Sequence, residues 1–272
     1  MNYHALHNFF LKGSFESIKH YIENNDIVFL HTMFYNLCNN SMSWDDVFVI
    51  CILMIQRGYK PNIECVNCSI LHKNMCIFIF ENIIKNGDLD DIDKIFTFNI
   101  CLADIIEMVK IIIFLKTPVS IKFLHGFMKK YGSDYPVKYC NFQLSNDSKR
   151  TNQIIMDLFN IVKDKSTVET LNLACKYYHN DLVTQILDLG IIPTEETMEN
   201  ALVHKFDIII LEKLHNYKIP ITNRCVSNCL KQFKSKSDLS YFFTICANCG
   251  WKLDTNILQK YDIKFPYVTD YI

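Results

Sequence analysis

Pro193-Thr-Glu-Glu-Thr-Met-Glu-Asn-Ala-Leu202 decides the fold, because the chain repeats it. The same phrase reads Ser166-Thr-Val-Glu-Thr-Leu-Asn-Leu-Ala-Cys175 one copy earlier and Pro61-Asn-Ile-Glu-Cys-Val-Asn-Cys-Ser-Ile70 near the start. A looser copy follows at Ile221-Thr-Asn-Arg-Cys-Val-Ser-Asn-Cys-Leu230. The matched Glu169, Glu196 and Arg224 stand 27 and 28 positions apart. A phrase returning at that period implies stacked units, each too small to bury a core alone.

The copy at 190–216 shows how one unit is built. Gly190 suits the left-handed turn that ends a helix. Pro193 falls where a first helical turn tolerates a missing N–H, and Thr194 is the expected N-cap. Glu195 and Glu196 bring negative charge to the positive end of the dipole. Met198, Ala201 and Leu202 then fall at i, i+3 and i+4, a single apolar stripe. Asp207 can cap a second helix over Ile208–Asn216, with Ile209, Ile210, Leu211 and Leu214 inward. The unit is a helix-turn-helix hairpin.

Other copies carry matching punctuation. His72-Lys73-Asn74, His179-Asn180-Asp181 and Ser237-Asp238 place Asn or Asp before an apolar helix, and loss of such a cap costs about 1 kcal/mol. Gly58, Gly190 and Gly250 close helices, and Asn216 stands in for glycine. Glu64 lies 105 positions before Glu169, room for about four units. Asn86-Gly87-Asp88 and Lys116-Thr117-Pro118 read as unit junctions. Residues 131–150 form the one long polar, turn-rich segment, an inserted loop or joint. It divides the chain into an N-terminal sub-stack over 1–130, headed by a capping unit, and a C-terminal sub-stack over 151–272.

Composition narrows the class of function. Half of the 272 residues are hydrophobic, enough for a substantial core. A formal net charge of −1 offers no basic face for nucleic acid. The apolar run Val47–Ile55 is too short for a membrane span, and the N-terminus lacks a secretory signal pattern. Twelve cysteines without such a signal imply free thiols in a reducing, intracellular and cytoplasmic setting. The surplus of Asn, Ile, Lys, Phe and Tyr fits an AT-rich coding sequence.

Chemistry-bearing residues divide by register. Cys65/Cys68 and Cys246/Cys249 are CxxC pairs that together could supply four zinc ligands. Their repeat register favours packing instead: Cys65 aligns with Thr170 and Thr197, and Cys229 with Ala174 and Ala201. Small residues are wanted there, and free Cys behaves as a small hydrophobe. His72, His179 and His204 share the turn between paired helices, where a polar side chain hydrogen-bonds the backbone. His4 and His7 lack a third ligand at motif spacing. Asp88–Asp93 lacks the glycine and terminal Glu of a calcium loop and reads as a helix cap. Lys231–Lys236 reads as a solvated turn. No nucleophile elbow, zincin helix or phosphate loop is present. Neither catalysis nor a cofactor is expected.

The phrase Leu6-His7-x3-Leu11-Lys12-Gly13-Ser14-Phe15-Glu16-x-Ile18-Lys19-x2-Ile22 resembles an ankyrin repeat, as do Thr167–Gly190 and Thr194–Asn216. The closest variety is the degenerate ankyrin-like repeat of large nucleocytoplasmic DNA viruses. The Thr-Pro-Leu-His phrase is absent, and a period below about 33 residues leaves little room for β-hairpin fingers. The resemblance implies an all-α solenoid and a viral, non-catalytic scaffold that binds host or viral proteins. The polar face of the first helices is the expected contact surface, with one row at Glu169, Glu196 and Arg224 and another at Glu199 and Ser227. Two competing expectations are a helical-repeat RNA binder, which needs a basic groove, and a zinc protein built on the two CxxC pairs.

Overall fold

A computed structural model of the chain describes residues 3–87, 89, 91–131, 146–177, 179–202, 208–219, 221–222, 224–226 and 246. Among them every regular element is helical and no strand occurs. The chain forms two compact units, Met1–Val119 and Ser120–Ile272. The division therefore precedes the polar segment 131–150, which lies within the second unit.

In the first unit the helices come in pairs. They are α1 (Tyr3–Lys12) with α2 (Phe15–Asn24), α3 (His31–Cys38) with α4 (Trp44–Gln56), and α5 (Ile63–Cys68) with α6 (Lys73–Asn86). A 3-10 helix, Ile92–Thr97, takes the first place in the last pair, before α7 (Leu102–Leu115). First members pack on first members: α1 on α3, α3 on α5, and α5 on the 3-10 helix. Second members do likewise, α2 on α4 and α6 on α7. Phe10, Phe34 and Phe80 are fully buried in this unit.

The second unit follows the same rule. Its pairs are α8 (Ile121–Tyr131) with α9 (Asn146–Val162), α10 (Val168–Lys176) with α11 (Asn180–Asp188), and α12 (Glu195–Leu202) with α13 (Ile208–Asn216). α10 touches both α8 and α12, and α11 touches α13. Phe123, Phe127 and Phe159 are fully buried here. Three pairs, beginning at Ile63, Ile92 and Ile121, fill the interval before Val168 where even spacing allows four. The 17-residue α9 and the 14 residues at 132–145 take up the remaining length.

Capping explains where the helices begin. Ser14 Oγ accepts from Ser17 N–H at 3.4 Å, Ser43 Oγ from Asp46 N–H at 3.1 Å, and Asn62 Oδ1 from Cys65 N–H at 3.3 Å. Two expected caps move. α6 starts at Lys73 because His72 Nδ1 accepts from Met75 N–H at 3.2 Å, so the histidine caps rather than Asn74. α11 starts at Asn180, with His179 rather than Asp181 before it. An imidazole nitrogen without a proton can accept there, as at His72; the His179 ring, expected to bond the backbone, makes no cap hydrogen bond and lies 2.9 Å from Asn152 Oδ1 instead. Pro193 also sits one place earlier than expected, ahead of the cap Thr194, whose C=O accepts from Met198 N–H at 3.1 Å.

Helix ends follow the glycine expectation at Gly58, Gly87 and Gly190, with φ of 95°, 73° and 80°. Asn216 remains in α13, and Lys218 takes the left-handed conformation instead, at φ 59°. Gly13 answers a different need. A Cβ there would lie 2.5 Å from the Phe9 carbonyl oxygen. Asn40, from the next pair, donates its amide to the Phe10 and Gly13 carbonyls at 3.0 and 3.1 Å, closing the end of α1.

Candidate interaction surface

The first helices α10 and α12 of the second unit share one local design. The third residue of each helix turns its side chain back toward the cap. Thr170 Oγ1 accepts from Thr167 N–H at 3.3 Å, and Thr197 Oγ1 from Thr194 N–H at 3.0 Å. In the first unit Cys65 holds this place, and its thiol lies 3.3 Å from Asn62 Oδ1. All three side chains are buried. The register expected for Cys65, Thr170 and Thr197 is therefore a packing and capping register. Thr197 also donates to Asn172 Oδ1, tying α12 to α10.

With that residue turned inward, the one before it faces solvent. Glu169, Glu196 and Arg224 occupy this place and are all exposed. Their electrostatic settings differ. Glu169 Oε1 lies 3.5 Å from Lys129 Nζ and 3.6 Å from His125 Nδ1. Arg224 Nη1 lies 3.5 Å from Glu199 Oε2. Among the described residues no ion pair engages Glu195 or Glu196, which stand between these two pairs in register. Exposed pairs of this type contribute about 0–1 kcal/mol. Glu199 differs from the rest: its side chain is only 20% exposed, so it serves mainly as the partner of Arg224. Ser227 lies outside the described residues.

His125 and Lys129 extend the row onto α8, and sequence reasoning missed both. They sit 44 and 40 positions before Glu169, across the irregular segment, so the regular period gives no signal for them. His125 is buried, and its Nε2 lies 2.8 Å from Thr170 Oγ1. Since that hydroxyl already accepts from Thr167 N–H, its hydrogen is available to Nε2. Burial lowers the His125 pKa below the ordinary imidazole value, and the Glu169 carboxylate opposes that shift.

The cysteines have a different character. Tyr59 Oη bridges His31 Nδ1 at 3.1 Å and Cys65 Sγ at 3.0 Å, a network no sequence motif announces. Burial pushes the Cys65 thiol up to about 11 and raises Tyr59 as well. A buried, protonated thiol is a poor nucleophile. Burial likewise raises Cys38 and Cys51 and takes Cys76 and Cys175 to about 12. Among the described residues no three or more His, Cys, Asp or Glu side chains are grouped to hold a metal ion. Cys249, His204, the Lys231–Lys236 run and the Ser237-Asp238 turn lie outside the described residues. No described helix is long and apolar enough to cross a membrane.

Exposed Cys101 should be the first described cysteine to react in an alkylation time course on the native protein. A thiol raised from 9.0 to about 11, as at Cys65, should react about a hundredfold more slowly than an unshifted one. Peptide mass spectrometry of iodoacetamide-treated protein reads the order. Equal labelling of Cys65 and Cys101 would contradict the burial described. Compared with known proteins, the chain matches no family model, no curated protein and no solved structure.

Proposed function

We propose that this chain is a non-catalytic scaffold, a solenoid of ankyrin-like helix hairpins that binds a protein partner across the polar face of its first helices. The observation that carries the reading is the shared register of Glu169, Glu196 and Arg224, exposed on successive first helices while the next residue turns inward. Core positions repeat because packing repeats. The solvent-facing position is free to vary, and here it changes from acidic to basic. A row of differing side chains on a regular framework is how repeat proteins encode a partner. The likeness to viral ankyrin-like repeats and the free thiols fit an intracellular role in a host cell.

The test is affinity capture of the tagged chain from its native cell, beside an Glu196→Lys/Arg224→Glu variant, followed by measurement on the purified pair. A stoichiometric protein should be retained by the wild type and its Kd raised at least about tenfold in the variant. The melting temperature should be nearly unchanged. Equal binding by both proteins would refute the assignment of this face.

A further inference from the structure

His125 sits where α8 meets α10, and its two ring nitrogens have different partners. Nε2 lies 2.8 Å from the buried Thr170 Oγ1, which accepts from Thr167 N–H at 3.3 Å. The hydroxyl hydrogen is therefore given to Nε2, and the neutral ring carries its own hydrogen on Nδ1. Nδ1 faces Glu169 Oε1 at 3.6 Å, and Lys129 Nζ lies 3.5 Å from the same oxygen. Access divides the three side chains: His125 is 7% exposed, Lys129 55% and Glu169 61%. One carboxylate oxygen is thus engaged within the unit, while most of the group is open to a partner. The partner group that suits it is a cation, an ammonium or guanidinium.

From this we infer that His125 couples partner binding at Glu169 to protons: a cationic side chain of the partner and an imidazolium behind the carboxylate compete for it. The inference rests on the reading of the row as a binding face. It adds the chemistry of the group that meets Glu169 and the condition that loosens it. A second proton on His125 enters at Nε2, against the Thr170 hydroxyl, which must then turn its hydrogen away. Glu169 on α10 favours the charge so formed, and Lys129 on α8 opposes it. α9 also packs on α8, and among the described residues it adds no charge that acts on the ring. A cation seated on Glu169 cancels the one favourable charge, so its binding releases protons from His125. Affinity accordingly falls as the pH drops, and burial sets that fall on the acid side of 6.5. Its size is at most about fivefold, the interaction of two unit charges about 4 Å apart in water.

Proton NMR of the histidine rings tests the coupling on the full chain alone. Glu169→Gln should lower the His125 titration midpoint by up to about 0.7 pH unit, the same fivefold expressed as a midpoint. Its melting temperature should stay near the wild-type value, because Glu169 is exposed. The second readout is the Kd of the purified pair, with the protein obtained by affinity capture as the probe. The ratio of Kd at about pH 5.5 to Kd at about pH 7.5 should be larger for the wild type than for Glu169→Gln, by up to about fivefold. An unmoved midpoint, or an equal ratio in the two proteins, would refute the inference and leave the scaffold reading standing. Capture of no protein at either pH would refute the scaffold reading, and the inference would fall with it.

Discussion

Acidification from pH 7 to pH 4 is expected to cost the folded chain on the order of 3 kcal/mol through one side chain, His179. The ring is 4% exposed, and its Nδ1 lies 2.9 Å from Asn152 Oδ1. Burial lowers its pKa from 6.5 to about 4, because the imidazolium would lose its hydration. The unfolded chain therefore takes up a proton near pH 6.5 while the folded chain resists until about pH 4. Stability from this group is complete above pH 6.5 and is lost as the pH falls through that window. His125 shifts in the same direction and adds to the loss. Urea titrations at several pH values would measure the effect. His179→Gln should flatten the dependence between pH 6.5 and 4. An unchanged slope in that variant would mean the acid sensitivity arises elsewhere.

Leu171→Ala should destabilise the chain by about 2–5 kcal/mol, whereas Glu196→Lys should change stability by less than about 0.5 kcal/mol. Leu171 on α10 is fully buried, in a helix that packs against α8, α11 and α12. Its truncation removes apolar contact and leaves a cavity that helices on three sides cannot all close at once. Glu196 is exposed, near the start of α12, and takes part in no ion pair among the described residues. Lysine there places a positive charge by the positive end of the helix dipole, a penalty of a few tenths of a kcal/mol. Chemical denaturation of both variants measures the contrast. A Glu196→Lys as damaging as Leu171→Ala would show that the residue is part of the packing.

The hairpins were legible in the sequence because their signals are local. A cap, an apolar stripe and a closing glycine all fall within about ten residues, and α13 spans Ile208–Asn216 as expected. The Glu169, Glu196 and Arg224 row was legible because its period is regular there. What escaped depended on side chains meeting across the chain. Tyr59 joins His31 to Cys65 only once α3 and α5 are packed. His125 and Lys129 reach Glu169 only after the irregular segment is spanned. The backbone hydrogen bond of His72 was legible from its place in the turn, but not that it would cap α6 in place of Asn74, because Asn and Asp are the commoner residues at that position. The 3-10 helix Ile92–Thr97 in place of a first α-helix has no repeat phrase to mark it.

The side-chain hydrogen bonds that join neighbouring pairs have a common span. Asn36 reaches His7 across 29 residues, Asn40 reaches Gly13 across 27, and His179 meets Asn152 across 27. Lys213 reaches Thr184 across 29 and Tyr217 reaches Leu187 across 30. The longest, His125 to Thr170 at 45, crosses the interval that holds residues 132–149. These bonds tie each element to its counterpart in the neighbouring pair, so among the described residues the side-chain links between pairs span short stretches of sequence. Within each unit, loop-closure entropy is then met in small instalments. Among the described residues the His125–Thr170 bond closes the longest of these loops, and so carries the largest closure entropy of them. Shortening the interval between α8 and α9 should speed the closure of that pair, which it joins, and the joining of α8 to α10, while the other pairs keep their own closure rates.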